Sequence, residues 1–119
     1  MNHRSLFLGL RYRGLVKSVR RNYHVLEGSY HYVLVSPGAG AGGNYNVVLK
    51  KAVQYLVKQF AGTRSVTSAD AYAACKRSKF LRDRFAVLNA LYVLVGIGAA
   101  RVSKMDAKTL FFSIRKHAV

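Results

Sequence analysis

The spacing of apolar positions in the C-terminal two-thirds of the chain predicts three helices. The first is predicted to begin with a cap at Asn44 or Asn46 and to end at Gly62, because glycine commonly terminates helices. Between them, apolar side chains recur every three or four residues, as on one face of a helix. These positions are Tyr45, Val48, Leu49, Ala52, Val53, Leu56 and Phe60.

The second predicted helix is about two turns long and the third is longer. The second is capped by Thr67 or Ser68 and packs through Ala71, Tyr72 and Cys75. The third begins near residue 78 and stops at the glycines of 96 and 98. Its apolar seam has a helical spacing and comprises Leu81, Phe85, Leu88, Tyr92 and Val95.

Two β-hairpins are predicted from runs rich in β-branched and aromatic residues. One pairs residues 23–26 with 30–35 around Glu27-Gly28-Ser29. The other pairs residues 100–104 with 109–114 around a turn at 105–108. Between the first hairpin and the first helix, the glycines of "PGAGAGG" satisfy the dinucleotide-binding pattern G-x-G-x-x-G. However, Pro37 interrupts the junction between strand and loop, and no acidic residue stands about twenty residues further on, where such proteins bind the ribose. A flexible linker is therefore predicted there, and no cofactor.

The long apolar stretch at residues 85–100 raises the question of a membrane span. As a helix it would extend about 24 Å, which is short of the roughly 30 Å hydrocarbon layer. Its glycines cluster at one end, and both flanks are basic. A buried helix followed by a hairpin is favoured over a span, although the span stays open as an alternative.

Residues 1–26 contain no acidic side chain. Read as a helix, they would place Leu8, Tyr12, Leu15 and Val19 on one face. An Arg-rich, acid-free, amphipathic segment is typical of mitochondrial targeting, and a basic arm that enters RNA has the same composition. Both interpretations stay open. The basic residues of this arm are Arg4, Arg11, Arg13, Lys17, Arg20 and Arg21.

Composition points to an anionic partner. The 119 residues include 20 Lys plus Arg and only 4 Asp plus Glu, which gives a formal charge of +16. Such an imbalance produces self-repulsion unless a polyanion neutralises it. The apolar content of 51% predicts a packed core and excludes a disordered basic tail. The single Cys75 excludes an internal disulfide and is read as a small packed residue.

No arrangement of residues predicts catalysis. The four acidic residues are scattered, the four histidines lack metal-ligand spacing, and no G-K-[ST] follows the glycines. We therefore expect no enzyme, no metal and no cofactor. Binding is the remaining function class.

The order helix, short strand, helix, longer helix, hairpin is that of a winged helix-turn-helix. The stretch "LYVLVGIGAARVSKMDAKTLFF" resembles the recognition helix end and wing of cell-cycle transcription-factor winged helices, which carry a V-L-x-G-I-G turn before a basic wing. The series "VTSADAYAACK", basic helix and "RVSK" is similar to winged-helix proteins of the eukaryotic small ribosomal subunit. The resemblance covers residues 44–115 and implies an α+β winged helix with three helices and a C-terminal hairpin wing. Residues 1–43 would form the arm, hairpin and linker, and residues 44–119 the winged-helix domain.

The transcription factors read DNA through an Arg-Arg-x-Tyr-Asp run, where this chain has Phe85, Ala86, Val87, Leu88 and Asn89. Base reading of that kind is therefore not expected. We expect instead phosphate contacts to rRNA, preferred over DNA, in a structural protein of a ribosome. The N-terminus suggests the mitochondrial matrix, and the cytoplasm and nucleus stay open as alternatives. A DNA-binding winged helix of a regulatory or chromatin complex and a single-span subunit of a mitochondrial inner-membrane complex are the alternatives. Besides the arm, the predicted nucleic-acid contacts are Lys76, Arg77, Lys79, Arg82, Arg84, Lys104 and Lys108.

Overall fold

The computed structural model describes residues 9–19, 21–37 and 43–116, and these form an α+β fold. Six strands and three helices are described. The strands are β1 (Arg11–Lys17), β2 (Asn22–Glu27), β3 (His31–Pro37), β4 (Gly43–Leu49), β5 (Ala100–Asp106) and β6 (Thr109–Ile114). The helices are α1 (Lys50–Phe60), α2 (Ser68–Ala74) and α3 (Arg84–Gly96).

Strands β1 to β4 form an antiparallel sheet in chain order. The predicted hairpin between β2 and β3 is confirmed, with Val25 opposite Leu34. The helical interpretation of the N-terminal segment is wrong for residues 11–17, which pair with β2 along their length. Their side chains alternate as in a strand, because Val16 is fully buried while Leu15 and Lys17 are exposed.

Strand β4 occupies residues that were predicted to be helical. Helix α1 begins at Lys50, not at Asn44 or Asn46, because residues 43–49 pair with the whole of β3. The β-branched pair Val47 and Val48 favours an extended strand when such a partner is present. The predicted end near Gly62 is confirmed: α1 stops at Phe60, and Gly62 has a φ of +85°. Of the predicted glycine linker, Pro37 and Gly43 pair with each other at the ends of β3 and β4, and residues 38–42 lie outside the described residues.

Helix α2 has the predicted cap, and α3 begins later than predicted. The Thr67 side chain accepts a hydrogen bond from the Asp70 backbone N–H in a capping box. Helix α3 starts at Arg84 and not near Ser78, because the Asp83 carboxylate caps it by accepting from the Ala86 N–H at 2.7 Å. It ends at the predicted glycine, Gly96.

The predicted seam of α3 is wrong at Phe85, whose side chain is 60% exposed. Further along, α3 packs against the sheet as well as α1 and α2, so residue 87 and residues 89–94 are all buried. Its apolar residues therefore have no single buried face. Within the described residues, no helix combines the length and apolar character needed to cross a membrane.

The C-terminal hairpin of β5 and β6 is confirmed and is tied to the segment between α1 and α2. Its turn is two residues long, with Ala107 and Lys108 both at positive φ (47° and 72°), the geometry of a type I′ turn. At its base, Val66 and Phe112 exchange backbone hydrogen bonds of 2.9 and 2.8 Å. This bridge supplies the short extended piece expected between the first two helices.

One hydrophobic core joins the sheet to the helices and hairpin. Val16 and Leu34 of the sheet belong to the same cluster as Leu56 of α1, Leu91 of α3 and Phe112 of β6. The pairing of β3 with β4 likewise joins residues 31–36, in the predicted N-terminal part of the chain (1–43), to residues 44–49, in the predicted winged-helix domain (44–119). The sheet therefore packs as part of the same unit as the three helices.

Candidate nucleic-acid interface

The segment from the end of α2 to the first turn of α3 presents five of the thirteen predicted cations. It reads "KRSKFLRDRF" over residues 76–85 and follows Cys75, whose backbone carbonyl accepts from the Ser78 N–H at 3.0 Å. The Ser78 hydroxyl then accepts from the Phe80 N–H at 3.1 Å, and Leu81 is buried as an anchor. These contacts fix the backbone while the cations point into solvent. The exposed cations, here called the basic loop, are Lys76, Arg77, Lys79, Arg82 and Arg84.

A groove of about 670 Å³ separates the basic loop from the edge strand β4. We call it the β4–α3 groove. Val47 and Leu49 line it on the strand side, and Phe80 and Phe85 line it on the loop side. All four are large apolar side chains exposed by 38% to 60%. Lys79 and Arg82 belong to the same wall, so the groove combines aromatic rings with positive charge.

Asn89 also lines the β4–α3 groove and, apart from the Tyr92 hydroxyl, is the only polar side chain within residues 85–95. The residue is 6% exposed. Its side-chain amide makes no hydrogen bond within the described part of the chain, and no side-chain polar atom there is both fully enclosed and unpaired. The amide is therefore reached from the groove. Neither Asn89 nor the two phenylalanines was in the predicted set, although aromatic residues within a basic run were a usable signal.

Arg11 and Arg13 are drawn into an ion cluster around Glu27. Arg11 Nη2 lies 3.1 Å from Glu27 Oε1, Arg13 contacts the same oxygen, and Lys50 Nζ lies 2.6 Å from Oε2. The Lys50 hydrogen bond is the main cause that lowers the pKa of Glu27 to about 2, with further hydrogen bonds from both arginines, against the opposing effect of burial. These two predicted contacts are thus partly occupied by a structural role. Lys50 was missed, because its proximity depends on the β3–β4 pairing.

The remaining predicted residues lie on other elements. Lys17 and Arg21 are exposed at the β1–β2 turn, where the Ser18 hydroxyl donates to the Arg21 carbonyl at 2.7 Å. Lys104 lies over the Phe111 ring at 5.4 Å, and Lys108 is in the hairpin turn. The structure places Lys79 and Arg82 of the basic loop at one groove but leaves these other cations on separate elements. Arg4 and Arg20 lie outside the described residues.

A second cavity of about 400 Å³ lies beside the Glu27 cluster. Arg13, Lys50 and Arg115 contribute cations to its wall, and the Glu27 carboxylate contributes the opposite charge. Arg115 was not predicted as a contact. Because the Glu27 carboxylate already pairs with Arg13 and Lys50 and offsets part of the positive charge here, this cavity is less suited to an anion than the basic loop is.

The pKa shifts of Cys75 and Tyr92 both follow from burial of these side chains in the core. Cys75 is fully buried, and burial raises the pKa of its thiol, which keeps the thiol protonated. Burial likewise raises the pKa of Tyr92, which stacks on Tyr23 with ring centroids 5.2 Å apart. Among the described residues, no three His, Cys, Asp or Glu side chains form a group that could hold a metal ion.

Comparison with known proteins adds no identification: no family model, no curated protein and no solved structure matches this chain.

Proposed function

We propose that the protein is a non-catalytic RNA-binding component of a ribosome, preferably a mitochondrial one, that clamps rRNA through phosphate contacts. The observation that carries the proposal is the basic loop, in which five exposed cations project from a hydrogen-bonded backbone anchored by Leu81. Because the backbone that carries these cations is already held in place, binding to phosphates requires little further ordering of the backbone. They also give affinity without reading sequence.

The placement of the carboxylates supports the same function. Glu27 is held by three cations, Asp70 caps α2, and Asp83 caps α3. Three of the four acidic side chains are thus engaged in local structure. The exposed cations of the basic loop have only Asp83 nearby in the sequence, and its carboxylate is bound to the α3 N-terminus. The resulting field favours a polyanion as partner.

A winged-helix arrangement is part of the proposal. The order α1, the Val66 bridge, α2, α3 and the β5–β6 hairpin is the order expected for that fold. In such a domain, the N-terminal part of the third helix and the wing face the nucleic acid. The basic loop and Lys104 and Lys108 would then contact the same RNA. Neighbouring ribosomal proteins would cover other surfaces.

A DNA reader is the second candidate, but the burial of α3 counts against it. Recognition helices insert side chains into the major groove and therefore need an exposed face. Residues 89–94 of α3 are buried without interruption, which leaves Arg84 at its start and Arg82, two residues before it, as the main candidates for base contacts. The inner-membrane alternative has no spanning helix in the described residues to support it.

Binding of a structured rRNA fragment at several salt concentrations tests the proposal. Changing Arg77, Lys79, Arg82 and Arg84 together to Gln should weaken binding. It should also lower the salt slope, which is the slope of the logarithm of the binding constant against the logarithm of the salt concentration, by about 0.7–0.9 for each lost phosphate contact. The matched control changes Lys51, Lys58, Arg64 and Arg101 to Gln. These are four exposed cations outside the predicted set.

The control removes the same charge, so a specific role requires a larger loss of slope in the basic-loop variant. Equal slopes in both variants would contradict the proposal, because binding would then follow net charge alone. The native particle is identified by sedimentation of the tagged full chain from cells. Co-sedimentation with a ribosomal subunit is expected, whereas recovery with duplex DNA or in the membrane fraction would support an alternative.

A further inference from the structure

We propose that the β4–α3 groove holds an unstacked base of single-stranded RNA, with Phe85 as the stacking surface and Asn89 as the group that contacts the base edge. The inference rests on the proposed RNA-binding function and adds the kind of RNA that is bound. It concerns unpaired nucleotides, as found in loops and bulges, where bases are free to leave the stack.

Exposed aromatic rings beside cations form the chemistry of this site. Phe85 is 60% exposed and Phe80 is 38% exposed, although both lie next to a well-packed core. Lys79 and Arg82 line the same groove. A base stacks on an aromatic face while cations of this kind neutralise the adjoining phosphates, and every base offers such a face.

Asn89 is the independent observation that points to a ligand. Because no side-chain polar atom of the described residues is both fully enclosed and unpaired, solvent reaches the Asn89 amide through the groove, and a ligand in the groove can take the place of that water. The Asn89 residue is 94% buried (6% exposed), opens into the groove and has no hydrogen-bond partner in the described residues. Its amide presents a donor next to an acceptor. That pair matches the donor and acceptor on the edge of a base.

Charge decides between RNA and an apolar protein segment as the occupant. Val47 and Leu49 on the edge strand would accept apolar side chains from a peptide. The other wall carries Lys79 and Arg82, however, and the one carboxylate there, of Asp83, is bound to the Ala86 N–H. In a chain of formal charge +16, this complementarity favours a nucleic acid.

The absence of tryptophan from the chain allows a direct test. The F85W variant places one indole in the groove, and a stacked base quenches indole fluorescence. The probes are a 12-nucleotide single-stranded RNA and a 12-base-pair RNA duplex, with binding followed in parallel by anisotropy of a label on the RNA. Quenching is expected with the single strand and not with the duplex. Y30W is the control, because Tyr30 is 82% exposed and does not line the groove.

Two further variants test the roles of the side chains. F85A and N89L should each weaken single-strand binding roughly tenfold. Neither should alter the salt slope, because neither changes a charge. F85A alters an exposed side chain and should fold normally, and N89L replaces the amide with an apolar group of similar size. Unchanged affinity in both variants would overturn the proposal.

The results separate this inference from the proposed function. If the single strand binds but the F85W indole is not quenched, the groove does not hold a base, and a protein segment becomes its better occupant. The proposed function would then stand on the basic loop alone. If neither the rRNA fragment nor the single strand binds, both proposals fail.

Discussion

Gly14 of β1 lies directly against Gly96 at the C-terminal end of α3. A Cβ atom placed on Gly14 would lie 2.3 Å from the Gly96 carbonyl oxygen, and one placed on Gly96 would lie 2.3 Å from Val25 Cγ2. The two glycines therefore allow the sheet and the helix to approach more closely than any side chain permits. This contact joins the N-terminal strand to the longest helix of the fold.

Gly14→Ala should destabilise the protein by about 2–3 kcal/mol, because the added methyl group meets backbone atoms that cannot rotate away. Urea unfolding followed by circular dichroism measures the change. Lys17→Ala serves as the control, since it alters an exposed side chain of the same strand and should shift stability by less than about 0.5 kcal/mol. Equal stability of Gly14→Ala and the wild type would contradict the close approach.

Glu27 should make stability fall at acidic pH. Its pKa is lowered from an ordinary value of 4.5 to about 2 in the folded protein, chiefly by the Lys50 hydrogen bond. A carboxylate with a lowered folded-state pKa stabilises the fold above its unfolded-state pKa, and this contribution is lost as pH falls through the folded value. The loss should amount to about 1–3 kcal/mol between roughly pH 5 and pH 2.

Glu27→Gln should be less stable than the wild type at pH 7 and should show a flatter decline between pH 5 and pH 2. Asp106→Asn provides the comparison, because this carboxylate is exposed at the hairpin. Thermal unfolding across the pH range gives both curves. A decline of the same steepness in Glu27→Gln would show that other groups control acid unfolding.

Two variants of Asp83 separate the effect of helix capping from the effect of charge on RNA binding. Asp83→Ala removes the acceptor for the Ala86 N–H and should cost about 1 kcal/mol, whereas Asp83→Ser retains a capping oxygen and should cost little. Both variants remove one negative charge beside the basic loop, so both should bind rRNA slightly more tightly, to a similar extent. Tighter binding in only one of them would show that helix order, and not charge, controls the interface.

Selection from a random duplex-DNA pool distinguishes the clamp from a DNA reader. We expect weak, salt-sensitive binding without a recovered motif, because burial of residues 89–94 leaves α3 with few side chains for base edges. A good bidentate contact is worth roughly 1–3 kcal/mol of discrimination, and Arg82 is the best placed residue for one. Recovery of a defined motif that disappears in Arg82→Ala would favour the regulatory alternative.

Local signals in the sequence predicted the elements that depend on neighbouring residues. The cap at Thr67, the terminating glycines at 62 and 96 and the C-terminal hairpin were placed correctly because each signal acts within one or two turns of chain. Residues 43–49 were misassigned because their apolar positions fit both a helix and a strand. The pairing with β3 decides the matter, and that contact is not encoded in the segment itself.

The candidate site was predicted only in part for a related reason. The basic loop follows from charge clustering, but the spacing of Phe85 suggested a core position, and only the packing of α3 shows that this ring is exposed. Lys50 joins Glu27 across 23 positions of sequence, so its role depends on the fold. The groove beside Asn89 likewise needs β4 to be a strand.

The Val66–Phe112 bridge fixes where the hairpin points. Its two hydrogen bonds, together with one from the Ile114 N–H to the Thr63 carbonyl at 2.9 Å, hold the base of the hairpin to the segment that leads into α2. Lys108 lies four residues before Phe112, at the tip of the hairpin, a reach of about 13 Å along a strand. The hairpin therefore holds this lysine at a set distance from the body of the protein. Under the proposed RNA-binding function, this fixed distance would favour an RNA whose phosphates are held at a matching spacing, whatever its base sequence.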